Sequence, residues 1–100
     1  MNKEKILNLI GLATRARKVV LGEEFVLKGM RDQETIVFMA SDAGNNIRKK
    51  MKNKTTTYNA LLIEDFSSDE LSRAVGKNNR KVVLIADKGF IKALKELINS

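Results

Sequence analysis

Residues 35–42 read Thr-Ile-Val-Phe-Met-Ala-Ser-Asp, a β-branched, aromatic and apolar run that ends in two polar residues. Apolar residues that follow one another without alternation are typical of a strand buried on both faces of a sheet, so we predict a strand over Thr35–Ala40. Ser41 and Asp42 are preferred N-caps, and their position predicts a helix from about Gly44 into the fifties. A strand followed at once by a helix is the repeating unit of an α/β protein.

The same alternation of helix and strand continues in both directions along the chain. Apolar residues at helical spacing predict helices over residues 3–14 and from Gly22 to about Asp32. Ser67, with a glutamate three residues later, forms a capping box that opens a helix ending at Gly76, and Asp87 caps a last helix. The remaining strands are predicted at Lys18–Leu21, Ala60–Ile63, which we expect to be buried, and Lys81–Ala86.

This order of elements, α-β-α-β-α-β-α-β-α, predicts an α/β fold. Helices that alternate with buried strands are typical of a three-layer α/β/α sandwich around a mainly parallel or mixed sheet. The chain has 100 residues and no proline, Ser/Gly linker or long repeat that would mark a boundary. Because domains have roughly 100–200 residues, we predict a single domain over residues 1–100.

The composition excludes several classes of function. The chain has no Cys and no His, which excludes disulfides, thiolate nucleophiles, imidazole catalysis and the usual zinc sites. Its longest apolar runs, Ile36–Ala40 and Val82–Ala86, are too short to span a membrane. The N-terminal stretch has helical periodicity and lacks the pattern of a signal peptide. We therefore expect a cytoplasmic protein that needs no cofactor and no metal.

The net charge indicates the kind of partner. Nineteen Lys and Arg against twelve Asp and Glu give a net charge of +7, and the excess is spread over both halves of the chain. A folded body with this charge favours a polyanionic partner, either nucleic acid or an anionic membrane surface.

Two predicted helices are candidates for contact with such a partner. Arg48–Lys54 carries five positive charges in seven residues, with no acidic residue between them. This helix can contact phosphates, or it can simply present a solvated face. In Gly22–Lys28, the side chains of Glu24, Phe25 and Lys28 project from one side near a helix N-terminus. The alternative is a local Glu24–Lys28 ion pair with Phe25 in the core, although helical geometry favours an exposed Phe25.

The loop Gly76–Lys81 is the third basic candidate. Asparagine and arginine side chains can bind base edges and phosphates, although two successive asparagines also form a simple turn. We expect the side chain of Arg80 to be exposed, as we do that of Lys28. The candidate residues of this loop are Lys77, Asn78, Arg80 and Lys81.

Two carboxylates keep an enzymatic alternative open. Asp42 and Asp87 each follow a predicted buried strand and precede a helix, where α/β enzymes place metal or phosphoryl sites. Each is also a good helix N-cap, and capping is the simpler explanation.

The sequence resembles a known family over nearly its whole length. It is similar to the YlxQ proteins, the bacterial branch of the kink-turn-binding ribosomal protein family that includes archaeal large-subunit protein seven-Ae and the eukaryotic thirty-e protein. The stretches that carry the resemblance are Leu-Ile-Gly-Leu-Ala-Thr-Arg-Ala-Arg-Lys at 9–18, Gly-Glu-Glu at 22–24 with Lys28, Ala-Ser-Asp-Ala at 40–43, and the stretch from Ser68 to Lys77.

The resemblance implies a sandwich on a four-stranded mixed sheet and binding to kink-turn RNA, a bent internal loop with tandem sheared G·A pairs. Members of the wider family carry Asn, Glu and Lys two, three and six positions after a glycine, where they read the guanines. Here those positions, counted from Gly22, are Glu24, Phe25 and Lys28, of which only the lysine matches. The family's loop before the last strand is small and apolar, whereas this one is polar and basic.

Together, the residues and the resemblance predict a non-enzymatic protein that binds structured RNA, ribosomal or otherwise kink-turn-containing, rather than a membrane. Gly22, Glu24, Phe25 and Lys28 would form the recognition edge, with the basic loop and Lys18 beside it. The alternative is an adaptor that docks its basic surface on ribosomal or translation-related proteins. A metal-dependent enzyme acting through Asp42 or Asp87 is the third interpretation.

Overall fold

A four-stranded mixed sheet forms the centre of the protein, which a computed structural model describes over residues 1–100. The strands lie in the order β1-β4-β2-β3, with β4 antiparallel to both neighbours and β3 parallel to β2. Their bounds are β1 (Val19–Leu21), β2 (Ile36–Met39), β3 (Leu61–Ile63) and β4 (Val82–Ile85). The predicted mixed sheet of four strands is confirmed.

Five helices cover the two faces of this sheet. The helices are α1 (Lys3–Arg15), α2 (Glu23–Gly29), α3 (Asn45–Thr57), α4 (Ser68–Val75) and α5 (Lys88–Ile98). Helices α2 and α3 lie side by side on one face, with Gly29 of α2 directly over the side chain of Leu84. Helix α1 packs between α4 and α5 on the other face, where the Phe66 ring meets Phe38 of β2 edge-on at 5.9 Å. The predicted α/β/α layering is confirmed, and none of the helices is long and apolar enough to cross a membrane.

The core lies where the two central strands pass between the helix layers. Every residue of β2 and of β4 is buried, because each strand has a neighbouring strand on both sides and helices on both faces. Successive side chains of a strand point to opposite faces, so these strands need an apolar residue at every position. The unbroken apolar runs are the signal of this double burial.

The strand predicted at residues 60–63 is present as β3, but the expectation that it is buried is wrong. Strand β3 lies at the edge of the sheet, with β2 as its one neighbour, and its side chains range from exposed at Leu61 to buried at Ile63. The helix expected to reach Asp32 is also shorter, since α2 ends at Gly29 and Asp32 adopts a left-handed backbone with a φ of 60°.

The predicted caps of the last two helices are confirmed. The side chain of Ser67 accepts a hydrogen bond from the backbone of Glu70, whose carboxylate accepts one from Ser67 in return. Gly76 ends the same helix in the left-handed conformation, with a φ of 68°. The carboxylate of Asp87 accepts a hydrogen bond from the backbone N–H of Phe90 at 3.0 Å.

We expect Asp87→Ala to lower the free energy of unfolding by about 1 kcal/mol, because it removes this cap from α5. The ion pair between Asp87 and Lys18, at 4.0 Å and partly exposed, adds little to that loss. Urea unfolding of the two proteins measures the difference. Asp65→Ala is the matched control, since Asp65 is exposed and forms neither a hydrogen bond nor an ion pair through its side chain. An equal loss in both variants would contradict a capping role.

Candidate nucleic-acid interface

Three separate parts of the chain meet at one end of the sheet. The antiparallel pairing of β1 with β4 places the end of β1 beside the start of β4, and α2 begins directly after β1. The loop that precedes β4 and the first turn of α3 lie at the same end. Between them is a cavity of about 130 Å³, here called the cleft. It is lined by Gly22, Glu23, Ile47, Asn79, Arg80, Lys81 and Val82.

Gly22 and Phe25 form the part of this end that α2 contributes. Gly22 has a φ of 91°, a conformation that favours glycine and turns the chain from β1 into α2. The side chain of Phe25 is 63% exposed, whereas Val26 and Met30 are buried against the sheet. The prediction that Phe25 is exposed rather than part of the core is confirmed. An exposed ring on a fixed helix offers a flat apolar surface to a stacking ligand.

Glu24 and Lys28 lie beside Phe25 and form an (i, i+4) ion pair at 3.5 Å. Both side chains are mostly exposed, at 78% and 67%. A pair this open to water contributes little to stability, so its charges remain available to a ligand. The structure therefore contains the Glu24–Lys28 ion pair of the alternative interpretation, but Phe25 is exposed rather than part of the core.

The loop between α4 and β4 brings Arg80 to the cleft in a way that the sequence did not predict. Its backbone N–H donates to the hydroxyl of Ser72 at 2.8 Å, which holds the loop against α4. The Arg80 side chain is half-buried rather than exposed, and its Nε has no hydrogen-bond partner. The expectation of full exposure is wrong because the loop folds back onto α4. Lys77 and Asn78 of the same loop are exposed.

Asp42 caps a helix, but a different one from the helix that we expected. Its two carboxylate oxygens accept hydrogen bonds from the backbone N–H of Ser68 at 2.8 Å and from the Ser68 hydroxyl at 2.6 Å. These bonds from Ser68 are the main cause that lowers the pKa of Asp42 from 3.8 to about 2, and Lys81, at 3.6 Å, favours the same charged form. Helix α3 instead has Gly44 as its N-cap residue, which provides no side-chain hydrogen bond.

Three of the five cations of α3 contact acidic residues from elsewhere in the fold. Arg48 donates to Glu64 at 2.7 Å and to the backbone carbonyl of Ser41 at 2.7 Å. Lys50 pairs with Glu23 of α2 at 3.2 Å, and Lys52 lies 4.0 Å from Glu64. The basic run therefore ties α3 to its neighbours, and Lys49 and Lys54 are its two cations without an acidic partner.

The structure separates Lys18 from the other candidate residues. Val19 pairs with Ile85 and Leu21 with Val83, so Lys18 lies at the far end of the β1–β4 pair, about 10 Å from the cleft end. There its ammonium lies 4.0 Å from Asp87. The expectation that Lys18 flanks the recognition edge is wrong, because the antiparallel pairing sends the two ends of β1 to opposite sides of the sheet.

Four residues that line the cleft were absent from the predicted site: Glu23, Ile47, Asn79 and Val82. Ile47 matches the apolar stripe of α3 and gives no other signal in the sequence. Asn79 adopts a left-handed backbone with a φ of 56°. Asparagine adopts this conformation more readily than most residues, and its residue type is the one signal of it in the sequence. No group of three or more His, Cys, Asp or Glu lies close enough together to hold a metal ion.

Comparison with known proteins connects this arrangement to a family. The chain is 46% identical over 98 residues to the RNA-binding protein YlxQ of Enterococcus faecium, which covers 97% of this chain and 94% of that protein. It is 39% identical over 92 residues to the RNA-binding protein YlxQ of Bacillus subtilis, with 91% and 92% of the two chains covered. The chain belongs to the YlxQ family. No family model matches it.

Solved structures show how widely this fold occurs. A Bacillus halodurans protein with unknown function superposes with a TM-score of 0.88 at 39% identity, over 96% of this chain and 98% of that one. The 15.5kD RNA binding protein of Giardia lamblia superposes with a TM-score of 0.79 at 19% identity, over 93% and 81%. At 19% identity this likeness shows that the two chains share a fold and nothing more.

We expect the Asp42–Ser68 contact to give the stability of the protein an acid-sensitive component. Because the pKa of Asp42 is lower in the folded chain than its ordinary value of 3.8, the contact stabilises the fold fully above that value. Its contribution is lost as the pH falls through about 2. The difference in unfolding free energy between the parent and Asp42→Ala should therefore be constant above about pH 5 and shrink as the pH falls from about 4 toward 2.

Two further variants separate the causes of this pH dependence. Ser68→Ala removes the hydroxyl donor, and Lys81→Ala removes the nearby positive charge. We expect Ser68→Ala to reduce the acid-sensitive component more than Lys81→Ala does, as urea unfolding at each pH can measure. The reverse order would show that the ion pair, rather than the hydrogen bonds, sets the charge state of Asp42.

Proposed function

We propose that this chain is a non-enzymatic RNA-binding protein that recognises structured RNA at the end of the sheet where the cleft lies. The observation that carries the proposal is the exposed Phe25 ring, with Lys28 on the same helix and the basic loop Gly76–Lys81 at the same end of the sheet. The names of the two relatives, both RNA-binding proteins YlxQ, support RNA as the ligand. The role would be carried out in the cytoplasm.

The side chains at this end suit RNA with unstacked bases. RNA is read mainly at loops and bulges, where splayed bases stack on aromatic rings and expose their hydrogen-bonding edges. Phe25 offers the ring, and Lys28, Lys77 and Lys81 offer positive charge to phosphates on either side of it. Glu24 accepts hydrogen bonds and so favours the amino group of a guanine.

We propose further that the RNA is kink-turn-like, in ribosomal RNA or in another structured RNA. Kink-turn binders of the wider family place Asn and Glu two and three positions after the glycine, and this chain has Glu24 and Phe25 there. Recognition would therefore rest on stacking by Phe25 and on the carboxylate of Glu24, rather than on the side-chain amide of an asparagine. The features retained from the family pattern are Lys28 and the turn formed by Gly22, which fixes the direction of α2.

The two carboxylates of the enzymatic interpretation are both engaged in structural contacts. Asp42 accepts two hydrogen bonds from Ser68, and Asp87 caps α5 and lies near Lys18. They lie at opposite ends of the sheet, since one follows β2 and the other follows β4, which runs the opposite way. These contacts favour binding over catalysis as the role of the chain.

RNA affinity should depend strongly on salt. With roughly four to six phosphate contacts, the logarithm of the association constant should fall against the logarithm of salt concentration with a slope of about −3 to −5. Lys77→Ala should make this slope shallower by about 0.7–0.9, because Lys77 is exposed without an acidic partner. Lys88→Ala is the matched control at the other end of the sheet. A slope near zero would remove phosphate contact as the source of affinity.

Phe25→Ala should weaken RNA binding roughly five- to 150-fold, because stacking on an aromatic ring contributes about 1–3 kcal/mol per base. Its effect on the free energy of unfolding should be small, since the ring is mostly exposed. Fluorescence anisotropy with a kink-turn RNA and with a plain duplex measures the binding, and urea unfolding measures the stability.

Two variants control this experiment. Leu61→Ala truncates another exposed apolar side chain, away from the cleft, and should leave RNA binding unchanged. Phe25→Gln restores a hydrogen-bonding side chain and should shift preference toward the kink-turn RNA. Unchanged RNA affinity in Phe25→Ala would show that the ring does not contact the RNA.

A further inference from the structure

The loop between α4 and β4 is attached near both of its ends to one residue of α4, Ser72. The backbone carbonyl of Ser72 accepts a hydrogen bond from the backbone N–H of Lys77 at 3.0 Å, where the loop begins. The hydroxyl of Ser72 accepts a second one from the backbone N–H of Arg80 at 2.8 Å, close to the end of the loop. Ser72 is 8% exposed, so both bonds are largely shielded from water. A single residue therefore closes the loop against α4.

The backbone of the loop is shaped to make the second of these bonds. Gly76 ends α4 with a φ of 68°, and Asn79 has a φ of 56°, so two left-handed residues turn the chain on either side of Lys77 and Asn78. Arg80 directly follows the second of them. A left-handed asparagine is less strained than most residues would be, but surrounding contacts must still stabilise it. The hydrogen bond from Arg80 to Ser72 is such a contact.

The side chain of Arg80 depends on this attachment because it has no acidic partner. Arg80 takes part in none of the ion pairs of the chain, and its Nε is buried without a hydrogen-bond partner. The neighbouring Lys81 is held differently, since its ammonium lies 3.6 Å from Asp42 and its backbone carbonyl accepts a hydrogen bond from Ala40 at 2.8 Å. The position of the Arg80 guanidinium at the cleft is thus set by where its own backbone is fixed.

A loop that is already ordered binds a ligand more tightly than a loop that must be ordered on binding. Ordering a flexible backbone costs conformational entropy, and this cost is subtracted from the affinity. In the proposed RNA interface, Phe25 and Lys28 are held by a helix. Arg80 lies in a segment without secondary structure, so its order has to come from a contact such as the one with Ser72.

We propose that Ser72 is a positioning residue for RNA binding, whose hydroxyl fixes the backbone of Arg80 and thereby holds the Arg80 guanidinium at the cleft before RNA arrives. This role rests on the proposed function, because it requires that Arg80 contacts RNA at the cleft. Ser72 itself is too buried to form part of the contact. In the alternative, the hydroxyl only satisfies a backbone N–H, and Ser72 then affects stability but not RNA affinity.

The test compares the parent chain with Ser72→Ala, Arg80→Ala and the double variant. Fluorescence anisotropy with a kink-turn RNA measures binding over a range of salt concentrations, at a temperature where urea unfolding shows that every variant is folded. Asp87→Ala is the matched control for lost stability, since it removes a helix cap at the other end of the sheet. Hydrogen exchange of the Arg80 amide, followed by NMR, reports directly on the attachment of the loop.

We expect Ser72→Ala to weaken RNA binding about five- to 30-fold, which corresponds to ordering the backbone of one further residue on binding. The dependence of affinity on salt should keep the slope of the parent, because no phosphate contact is removed. Lys77→Ala, in contrast, should make that slope shallower. Exchange of the Arg80 amide should become faster in Ser72→Ala, and Asp87→Ala should bind RNA as the parent does.

The double variant shows whether Ser72 acts through Arg80. If it does, Ser72→Ala should cost little further affinity once Arg80 has been replaced, so that the two losses are not additive. Ser72→Thr keeps a hydroxyl that can accept the hydrogen bond, and it should restore both the RNA affinity and the slow exchange of the Arg80 amide.

Four outcomes would overturn the positioning role and leave the RNA proposal in place. They are full RNA affinity in Ser72→Ala, a shallower salt slope in that variant, additive losses in the double variant, and equal losses in Ser72→Ala and Asp87→Ala. Full affinity in Arg80→Ala would also overturn the role, because Arg80 would then not contact the RNA. Absence of RNA binding by the parent chain would overturn the RNA proposal itself, and the role of Ser72 with it.

Discussion

The insertion of β4 between β1 and β2, antiparallel to both, is the contact on which the rest of the structure depends. It gives the sheet two central strands that are buried on both faces, and these strands account for much of the core. It also sets the start of β4 beside the ends of β1 and β2. The loop that precedes β4 is thereby brought to the first turns of α2 and α3, and the cleft exists because of this pairing.

Charged side chains also join separate elements of the fold. Three of the five cations on α3 contact Glu23 or Glu64, so that helix is held in place by contacts with α2 and with the segment after β3. The carboxylate of Asp42 joins the segment after β2 to the first turn of α4 and lies near Lys81. Cations without an acidic partner remain in the loop before β4, at Lys77 and Arg80, and also on α1, α3, α4 and α5. The net charge of +7 is therefore distributed over several surfaces.

The end of the sheet with the cleft takes its chemistry from two separate segments, α2 and the loop before β4. Phe25 on α2 offers an exposed aromatic ring, and the loop offers polar and basic side chains, a combination that suits the bases and phosphates of a folded RNA.

The sequence by itself determined the features that depend on neighbours within a few residues. The order of helices and strands, the caps at Ser67, Gly76 and Asp87, and the exposure of Phe25 follow from local hydrogen bonds and from the periodicity of one helix or strand. The resemblance to the YlxQ proteins could also be detected in the sequence, because short motifs carry it. These signals were enough to predict the layers of the fold and part of the candidate site.

Only the tertiary structure decided the features that join distant parts of the chain. The strand order places β3 at an edge of the sheet, and the antiparallel pairing of β1 with β4 places Lys18 away from the cleft. The packing of whole strands determines which strands pair and in which register. Asp42 caps a helix that begins 26 residues later, and Arg48 pairs with a glutamate 16 residues away. Such partners leave no mark in a local pattern, because the free energy that selects them comes from bringing complete elements together.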